Sequence, residues 1–288
     1  MRITKGLITA AGEPQRRLPL QTLVDKDGVT RTVLSMLVNE IVEAGIEQIC
    51  IVVPPGDEAE FARATEGFGN ILHFVPQEGP PGYAEAILCG RPFLGAEPFL
   101  HLVSDHIYVR GAEGNLAKRL VALASAESCS VSAVQSTHES VIGRFGVVGG
   151  RPLADRRSVY LVDSVVEKPT PTVAEESLVV SGLRSGYYLA FFGMHVLMPE
   201  FLTMLERLVA ESKCGRSVSR ALAEHARESR YLALQSNGQR YDLGPRYGLL
   251  KAQLALTLSG KDREELLASM VGLLAVHGGG AGEIASRE

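Results

Sequence analysis

Cysteine is scarce and unpaired in this chain of 288 residues. Its four cysteines, Cys50, Cys89, Cys129 and Cys214, form no CxxC pair, which removes the usual zinc spacing. Cys50 and Cys129 fall inside apolar runs (QICIVV, CSVSAV), so they are expected as buried, reduced thiols. No apolar run reaches the roughly 18 residues that span a bilayer. A membrane is therefore not expected as a partner. MRITKGLITAAG leads straight into a strand-like pattern, so no signal peptide is expected. Together these readings predict a cytoplasmic protein. A basic excess is missing too, and a formal net charge of −4 argues against nucleic acid as a partner. Gly (30) and Pro (14) are too few and too aperiodic for collagen or low-complexity sequence. GxxxxGK[ST], GxSxG and HExxH are all absent, which excludes P-loop NTPases, serine hydrolases of that class and zincins. The seven histidines show no ligand spacing and read as scattered surface or core residues.

What is present is an ordinary globular composition, 45% hydrophobic and 22% charged. The first half alternates. Apolar strand-like runs occur at Lys5 to Ala11, Gln48 to Val53, Ile71 to Val75, Pro98 to Val103 and Cys129 to Ser136. Helical spacing occurs at Val33 to Ala44, Asp57 to Thr65, Tyr83 to Cys89 and Ala117 to Ala126. Strands that are apolar throughout, alternating with amphipathic helices, predict an α/β fold: a Rossmann-like, mainly parallel sheet with helices on both faces. Right-handed crossovers then bring the strand C-terminal ends to one edge, where ligands bind. The second half is less regular. Strands are expected at Phe145 to Val148, Val159 to Val166, Ser185 to Phe192 and Tyr231 to Gln235. Helices are expected at Pro199 to Ser212, Val218 to Arg227, Arg246 to Leu258 and Arg263 to Val276. The organisation predicted is one α/β domain over 1–260, then a C-terminal helical extension with a disordered glycine-rich tail over 261–288.

Several residues at that edge could carry chemistry. Ala10-Ala11-Gly12 closes the first strand, and Gln15-Arg16-Arg17-Leu18-Pro19 follows. Glycine there lets backbone N–H groups approach a phosphate, and arginine can neutralise a triphosphate. Taken alone, the fragment reads as an ordinary turn with two solvated arginines. Asp105 follows a buried strand and is a candidate Mg²⁺ ligand or, equally, a turn aspartate. Asp242, in RYDLG, is a second candidate or a helix cap. Glu167-Lys168-Pro169 ends a strand, where neighbouring side chains point to opposite faces. The two should therefore not pair with each other. A sugar hydroxyl for Glu167 and a phosphate for Lys168 would fit.

In order, these fragments resemble the sugar-1-phosphate nucleotidyltransferases, and most of all the bacterial UTP–glucose-1-phosphate uridylyltransferases. The likeness runs from about Lys5 to Leu258. Gly12, Arg16 and Pro19 fall on the family's G-x-G-T-R-x-x-P loop. Gln77 and Gly82, in QEGPPGYAEAIL, fit the segment that contacts the base. Asp105 and Asp242 match the two metal aspartates, Gly146 and Gly193 the sugar-side glycines, and Glu167-Lys168-Pro169 the E-K-P motif. The resemblance implies catalytic roles for Arg16, Lys168 and Asp105. It implies nucleotide binding by Ala10, Ala11, Gly12, Arg17, Gln77 and Gly82. Sugar-phosphate binding falls to Gly146, Glu167, Lys168 and Gly193, with Mg²⁺ on Asp105 and Asp242. The implied substrates are an NTP and a sugar-1-phosphate, UTP and glucose-1-phosphate first, converted to an NDP-sugar and pyrophosphate by a homo-oligomer (dimer or tetramer). The triphosphate loop departs from the pattern: Pro14 and Gln15 replace its second glycine and its threonine, and the following lysine has no counterpart. Two alternatives accompany this reading. One is a transferase for another pyrimidine NTP or another sugar-1-phosphate. The other is a non-catalytic nucleotide-sugar-binding protein with a degenerate loop.

Overall fold

The computed structural model describes residues 1–13, 16–211 and 218–278. Pro14, Gln15, Cys214 and the glycine-rich end from 279 onward lie outside them. The first half comprises β1 (Lys5–Thr9), a hairpin of β2 (Thr22–Val24) and β3 (Thr30–Thr32), α1 (Val33–Glu43), β4 (Gln48–Val53), α2 (Glu58–Ala64), β5 (Leu72–Pro76), α3 (Tyr83–Cys89), α4 (Arg91–Leu94), β6 (Phe99–Val103), β7 (His106–Val109), α5 (Leu116–Glu127) and β8 (Ser130–His138). The second comprises α6 (Glu139–Ile142), β9 (Gly146–Leu153), β10 (Arg156–Glu167), α7 (Pro171–Ser177), β11 (Tyr187–Leu197), α8 (Pro199–Glu211), α9 (Val218–Glu228), β12 (Tyr231–Gln235), β13 (Gln239–Asp242), α10 (Gly248–Leu258) and α11 (Arg263–Gly278).

Nine strands form one sheet in the order β5-β4-β1-β6-β11-β8-β12-β10-β9. The run β5-β4-β1-β6 is parallel, as the alternation predicts, and β12 is parallel to β8. β11 is inserted antiparallel between β6 and β8. β10 pairs antiparallel with β12 and β9. The strands of the second half run longer than the apolar pattern suggested, because β9 and β10 extend past their buried ends into an exposed hairpin. Two short ribbons, β2–β3 and β7–β13, were not legible in the sequence at all. Each strand is only three or four residues long, and apart from the buried Leu23 and Ile107 their residues are half-buried or exposed, too short a pattern to read as a strand.

The sheet is covered on both faces, and successive residues of one strand show it. Ile8, Ile49, Ile51 and Val53 join a core with Leu34, Val38 and Ile41 of α1 and Leu120 of α5. Leu7, Cys50 and Val52 face a second core with Ile87 of α3, Phe201 and Leu205 of α8 and Leu222 of α9. Full burial of each such side chain contributes about 1.5–3 kcal/mol. Helix starts are capped by sequence: Thr32 accepts the Ser35 N–H (3.0 Å) for α1, and Asn115 accepts the Lys118 N–H (2.7 Å) for α5. Gly45, at φ 89°, follows the end of α1, where a left-handed residue is needed. Cys50 and Cys129 are buried and free, as the sequence implied.

The sheet also carries polar groups in its middle. His195 on β11 lies directly opposite His101 on β6, and their rings stack with centroids 6.1 Å apart. Burial holds both imidazoles neutral, pushing His101 down to about 4 and His195 down to about 3. Below the ordinary histidine value of 6.5 the unfolded chain takes up protons that these native rings refuse. Stability is thus complete above that value and lost as pH falls toward the folded values. Thermal melts should therefore show Tm dropping from pH 6.5 to about 5, where ordinary carboxylates stay ionised. The drop should be shallower in His101→Leu. An identical slope in wild type and variant would contradict this account.

Candidate active site

The parallel strands end on one edge, and a cleft of about 790 Å³ opens there. β1 supplies its first wall. The Ala10 N–H makes the last ladder bond, to the Val52 carbonyl at 2.7 Å, and Ala10, Ala11 and Gly12 then line the cleft. A Cβ on Gly12 would meet no protein atom within 4 Å, so the protein itself does not require glycine there. Gln77 follows β5 and turns inward. Its Nε2 donates to the carbonyls of Pro80 (3.3 Å) and Gly82 (3.1 Å), bracing the loop that starts α3. Tyr83 and Ala86 of α3 continue this wall.

Asp105 stands just past β6. Burial alone would raise its carboxyl, but the His106 ring (Nδ1 to Oδ1, 2.7 Å) and the charge of Arg240 hold it below the usual range. The β7–β13 ribbon fixes what lies beside it. Asp242 is paired with His106, and the Leu243 N–H donates to the Asp105 carbonyl at 2.9 Å. The two aspartates predicted to share a metal are thus stitched together through their backbones. Asp242 is half-buried, spends Oδ1 on the Gly244 N–H (2.9 Å), and does not itself line the cleft.

The opposite wall comes from β9, β10, β11 and α9. Glu167 ends β10, and Lys168 takes a left-handed backbone (φ 48°) with its N–H on the Phe145 carbonyl at 2.9 Å. Strand alternation stops there, which corrects the sequence expectation. Lys168 Nζ lies 3.9 Å from Glu167 Oε1, and both line the cleft. A left-handed backbone at a non-glycine residue is strained and persists only where surroundings hold it. The Ser219 hydroxyl donates to the Glu167 carboxylate. At Gly146 a Cβ would come within 2.7 Å of Phe191 and 2.9 Å of Ser219 Oγ, so only glycine fits. Gly193 needs positive φ (84°), and its carbonyl accepts the Tyr108 hydroxyl at 3.1 Å.

Ten of the predicted residues therefore meet in one cleft: Ala10, Ala11, Gly12, Gln77, Gly82, Asp105, Gly146, Glu167, Lys168 and Gly193. Arg16 and Arg17 do not line it. Arg16 pairs with Asp57 (2.8 Å) and Arg17 with Glu60, both at the acidic start of α2. Asp57 accordingly makes no side-chain cap to that helix. The sequence reading missed Tyr83, His106, Arg144, His195, Ser219 and Arg240, which also line the cleft. Arg240 could have been found, being two residues before Asp242 on one strand and hence on its face. Its guanidinium lies over the Phe145 ring at 4.0 Å. Arg144, Lys168 and Arg240 are the cationic lysine and arginine side chains facing the cleft among the described residues.

A sequence profile described as nucleotidyl transferase matches residues 5–258. The chain belongs to the nucleotidyl transferase family. Within this family it is similar to the UTP–glucose-1-phosphate uridylyltransferase of Bacillus subtilis, 27% identical with 95% of this chain and 98% of the relative covered. The Pseudomonas aeruginosa enzyme of the same name is 26% identical over 87% of this chain and 94% of its own. Among solved structures, a UDP-glucose pyrophosphorylase complexed with UDP-glucose superposes with a TM-score of 0.69 at 26% identity, covering 88% of this chain and 98% of that one. The Acinetobacter baumannii enzyme with UTP bound matches in fold, with a TM-score of 0.73 at 22% identity over 93% and 99% of the two chains.

Two glycines of this nucleotidyl transferase separate ligand demands from folding demands. Gly12→Ala should leave stability within about 0.5 kcal/mol yet weaken nucleotide binding. Gly193→Ala should cost about 1–3 kcal/mol through its φ and its contact with Val103 (2.9 Å). Urea melts with parallel nucleotide titrations check both. Equal stability losses in the two variants would refute the distinction.

Proposed function

We propose that this protein is a sugar-1-phosphate nucleotidyltransferase that makes UDP-glucose and pyrophosphate from UTP and glucose-1-phosphate. The observation that carries this reading is the left-handed turn at Lys168, which aims an ammonium and the neighbouring Glu167 carboxylate into a cleft walled opposite by Ala10 to Gly12. A point charge suits a phosphate, and a carboxylate suits hydroxyl donors. The names of the relatives agree with it. In the reaction proposed, a phosphate oxygen of glucose-1-phosphate attacks the α-phosphorus of UTP and pyrophosphate leaves. Such transfers need positioning and charge neutralisation more than covalent help from the protein. Lys168 holds the sugar phosphate and lowers its repulsion from the triphosphate. Glu167, braced by Ser219, accepts from sugar hydroxyls. Arg144 and Arg240 add positive charge to the cleft.

The donor set also fits a hard divalent cation. Asp105 stays ionised, and two carboxylates would leave the rest of an octahedral shell to phosphate oxygens and water. Mg²⁺ held by Asp105 and Asp242 would supply charge neutralisation at the α-phosphate. The proposed setting is the cytoplasm, and no helix among the described residues is long and apolar enough to cross a membrane. A homo-oligomer belongs to the same proposal; Val271, Leu273, Leu274 and Val276 of α11 are exposed in the single chain.

One observation favours a second reading, a nucleotide-sugar binder without catalysis: Arg16 and Arg17 are engaged by α2 and leave the triphosphate end without them. Pyrophosphate release from a panel of NTPs and sugar-1-phosphates decides between the two. UTP with glucose-1-phosphate should give the highest rate. Asp105→Asn and Asp242→Asn should each remove most turnover with the fold intact, kcat falling more than affinity. Lys168→Ala should raise the sugar-1-phosphate requirement at least tenfold while UTP binding alone hardly changes. No release with any pair, alongside tight UDP-glucose binding, would establish the binder instead.

A further inference from the structure

Beneath the cleft lies a chain of buried polar groups that the proposed reaction does not use. Ser132 Oγ on β8 contacts His195 Nδ1 at 2.6 Å and also the Tyr231 hydroxyl from β12. His101 Nδ1 lies 3.1 Å from the Leu7 carbonyl, and its Nε2 lies 2.8 Å from the Tyr83 hydroxyl. His195 is only 5% exposed, yet its ring lines the cleft. Among the described residues, its Nε2 has no hydrogen-bond partner.

Counting protons settles which tautomer the cleft meets. Tyr231 is fully buried, and Ser132 is its hydrogen-bond partner among the described residues. If His195 Nδ1 carried the proton, three protons would share the two contacts of Ser132. Either the Tyr231 or the Ser132 proton would then be stranded in the core, at a cost of about 1–3 kcal/mol. The satisfied arrangement runs the other way. Tyr231 donates to Ser132, Ser132 donates to Nδ1, and the imidazole proton sits on Nε2. His101 has a single satisfied tautomer. A carbonyl only accepts, so Nδ1 carries that proton and Tyr83 donates to Nε2. Tyr83 thus spends its proton inward, while His195 presents an N–H outward.

The donor stands at the sugar end of the cleft. The Phe191 ring meets the His195 ring edge-on with centroids 5.1 Å apart, and the same Phe191 packs against Gly146, next to Ser219 and Glu167. Ala86, Val218 and Leu222 line the cleft as apolar neighbours. An unpartnered donor in such surroundings discriminates strongly, because a ligand lacking the acceptor leaves it unsatisfied.

We propose that His195 determines sugar specificity: its Nε2–H, oriented by the Tyr231–Ser132 relay, donates to an oxygen of the uncharged hexose moiety. The proposal rests on the sugar-nucleotide reading of the cleft. Ser132 and Tyr231 are positioning residues in it.

Calorimetry on the full chain with UDP, UDP-glucose and its 2-, 3-, 4- and 6-deoxy analogues tests this. At least one analogue should bind wild type tenfold or more weakly than UDP-glucose. His195→Phe should bind that analogue and UDP-glucose alike, with UDP affinity unchanged, and His195→Gln should restore part of the difference. A hydroxyl held by Glu167 keeps its difference in the variant; the proposal is overturned if every difference seen in wild type survives in His195→Phe, or if wild type shows none. A second measurement does not depend on that variant. Imidazole ¹⁵N spectra of wild type should give His195 with its proton on Nε2, and Ser132→Ala should shift it toward a tautomer mixture. A proton on Nδ1 in wild type overturns the relay. Discrimination by His195 without any turnover would remove only the catalytic reading. Turnover without that discrimination would remove only this proposal.

Discussion

Two hydrogen-bond ladders, one on each side of β11, hold the halves of the sheet together. On one side β11 pairs with β6 through Met194 to Leu197 and with the first residues of β9 through Leu189 and Ala190, and on the other it pairs with β8. The parallel half, β5-β4-β1-β6, brings Ala10 to Gly12, Gln77 and Asp105 to a common edge. The other half carries Gly146, Glu167 and Lys168. Neither half encloses a cleft alone. Because β11 runs antiparallel to β6, its Gly193 arrives beside Val103 at the very edge where β6 ends. The register shift between Phe191 and His195 in the β11–β8 ladder falls at this point, and positive φ at Gly193 absorbs it.

The electrostatics of the cleft follow from that meeting. Asp105, Glu167 and Glu13 face Lys168, Arg144 and Arg240, so opposite charges are distributed around one space. Arg240 is held by the Phe191 carbonyl and by the faces of Phe145 and Phe192, which spread its charge over aromatic surface. A cation so fixed contributes without an entropic cost of ordering when a phosphate arrives. The α2 carboxylates play the converse part. By pairing with Arg16 and Arg17 they draw two positive charges away from the strand end. A nucleotide that recruits those arginines must compete with Asp57 and Glu60.

The polar chain beneath the cleft places chemistry in the middle of a sheet, where apolar residues are the rule. His101, Ser132 and His195 project from three adjacent strands, and each is buried. Satisfied hydrogen bonds make this tolerable, and His195, whose Nε2 has no partner among the described residues, lines the cleft. Such an arrangement couples the shape of the cleft floor to the packing of β6, β11, β8 and β12. It also explains why seven histidines without ligand spacing did not read as functional. The relation of His101 to His195 is across strands, not along the chain.

Local pattern alone determined the parallel half of this protein. Apolar runs bounded by Pro54-Pro55-Gly56 or Gly79 to Gly82, and helices capped by Thr32 and Gly45, are written in adjacent residues. The order of short motifs also pointed to the cleft, since ten of the predicted residues meet there. Tertiary structure decided the rest. Whether β11 ran parallel or antiparallel depended on its neighbours, which its own apolar pattern does not name. The pairing of Glu167 with Lys168 depended on a left-handed backbone that the Phe145 carbonyl helps to hold, and period-two alternation cannot foresee such a break. The removal of Arg16 and Arg17 from the cleft lining depended on carboxylates about 40 residues away in the chain. Periodicity reports which face a side chain takes, whereas these outcomes turned on which distant group was there to meet it.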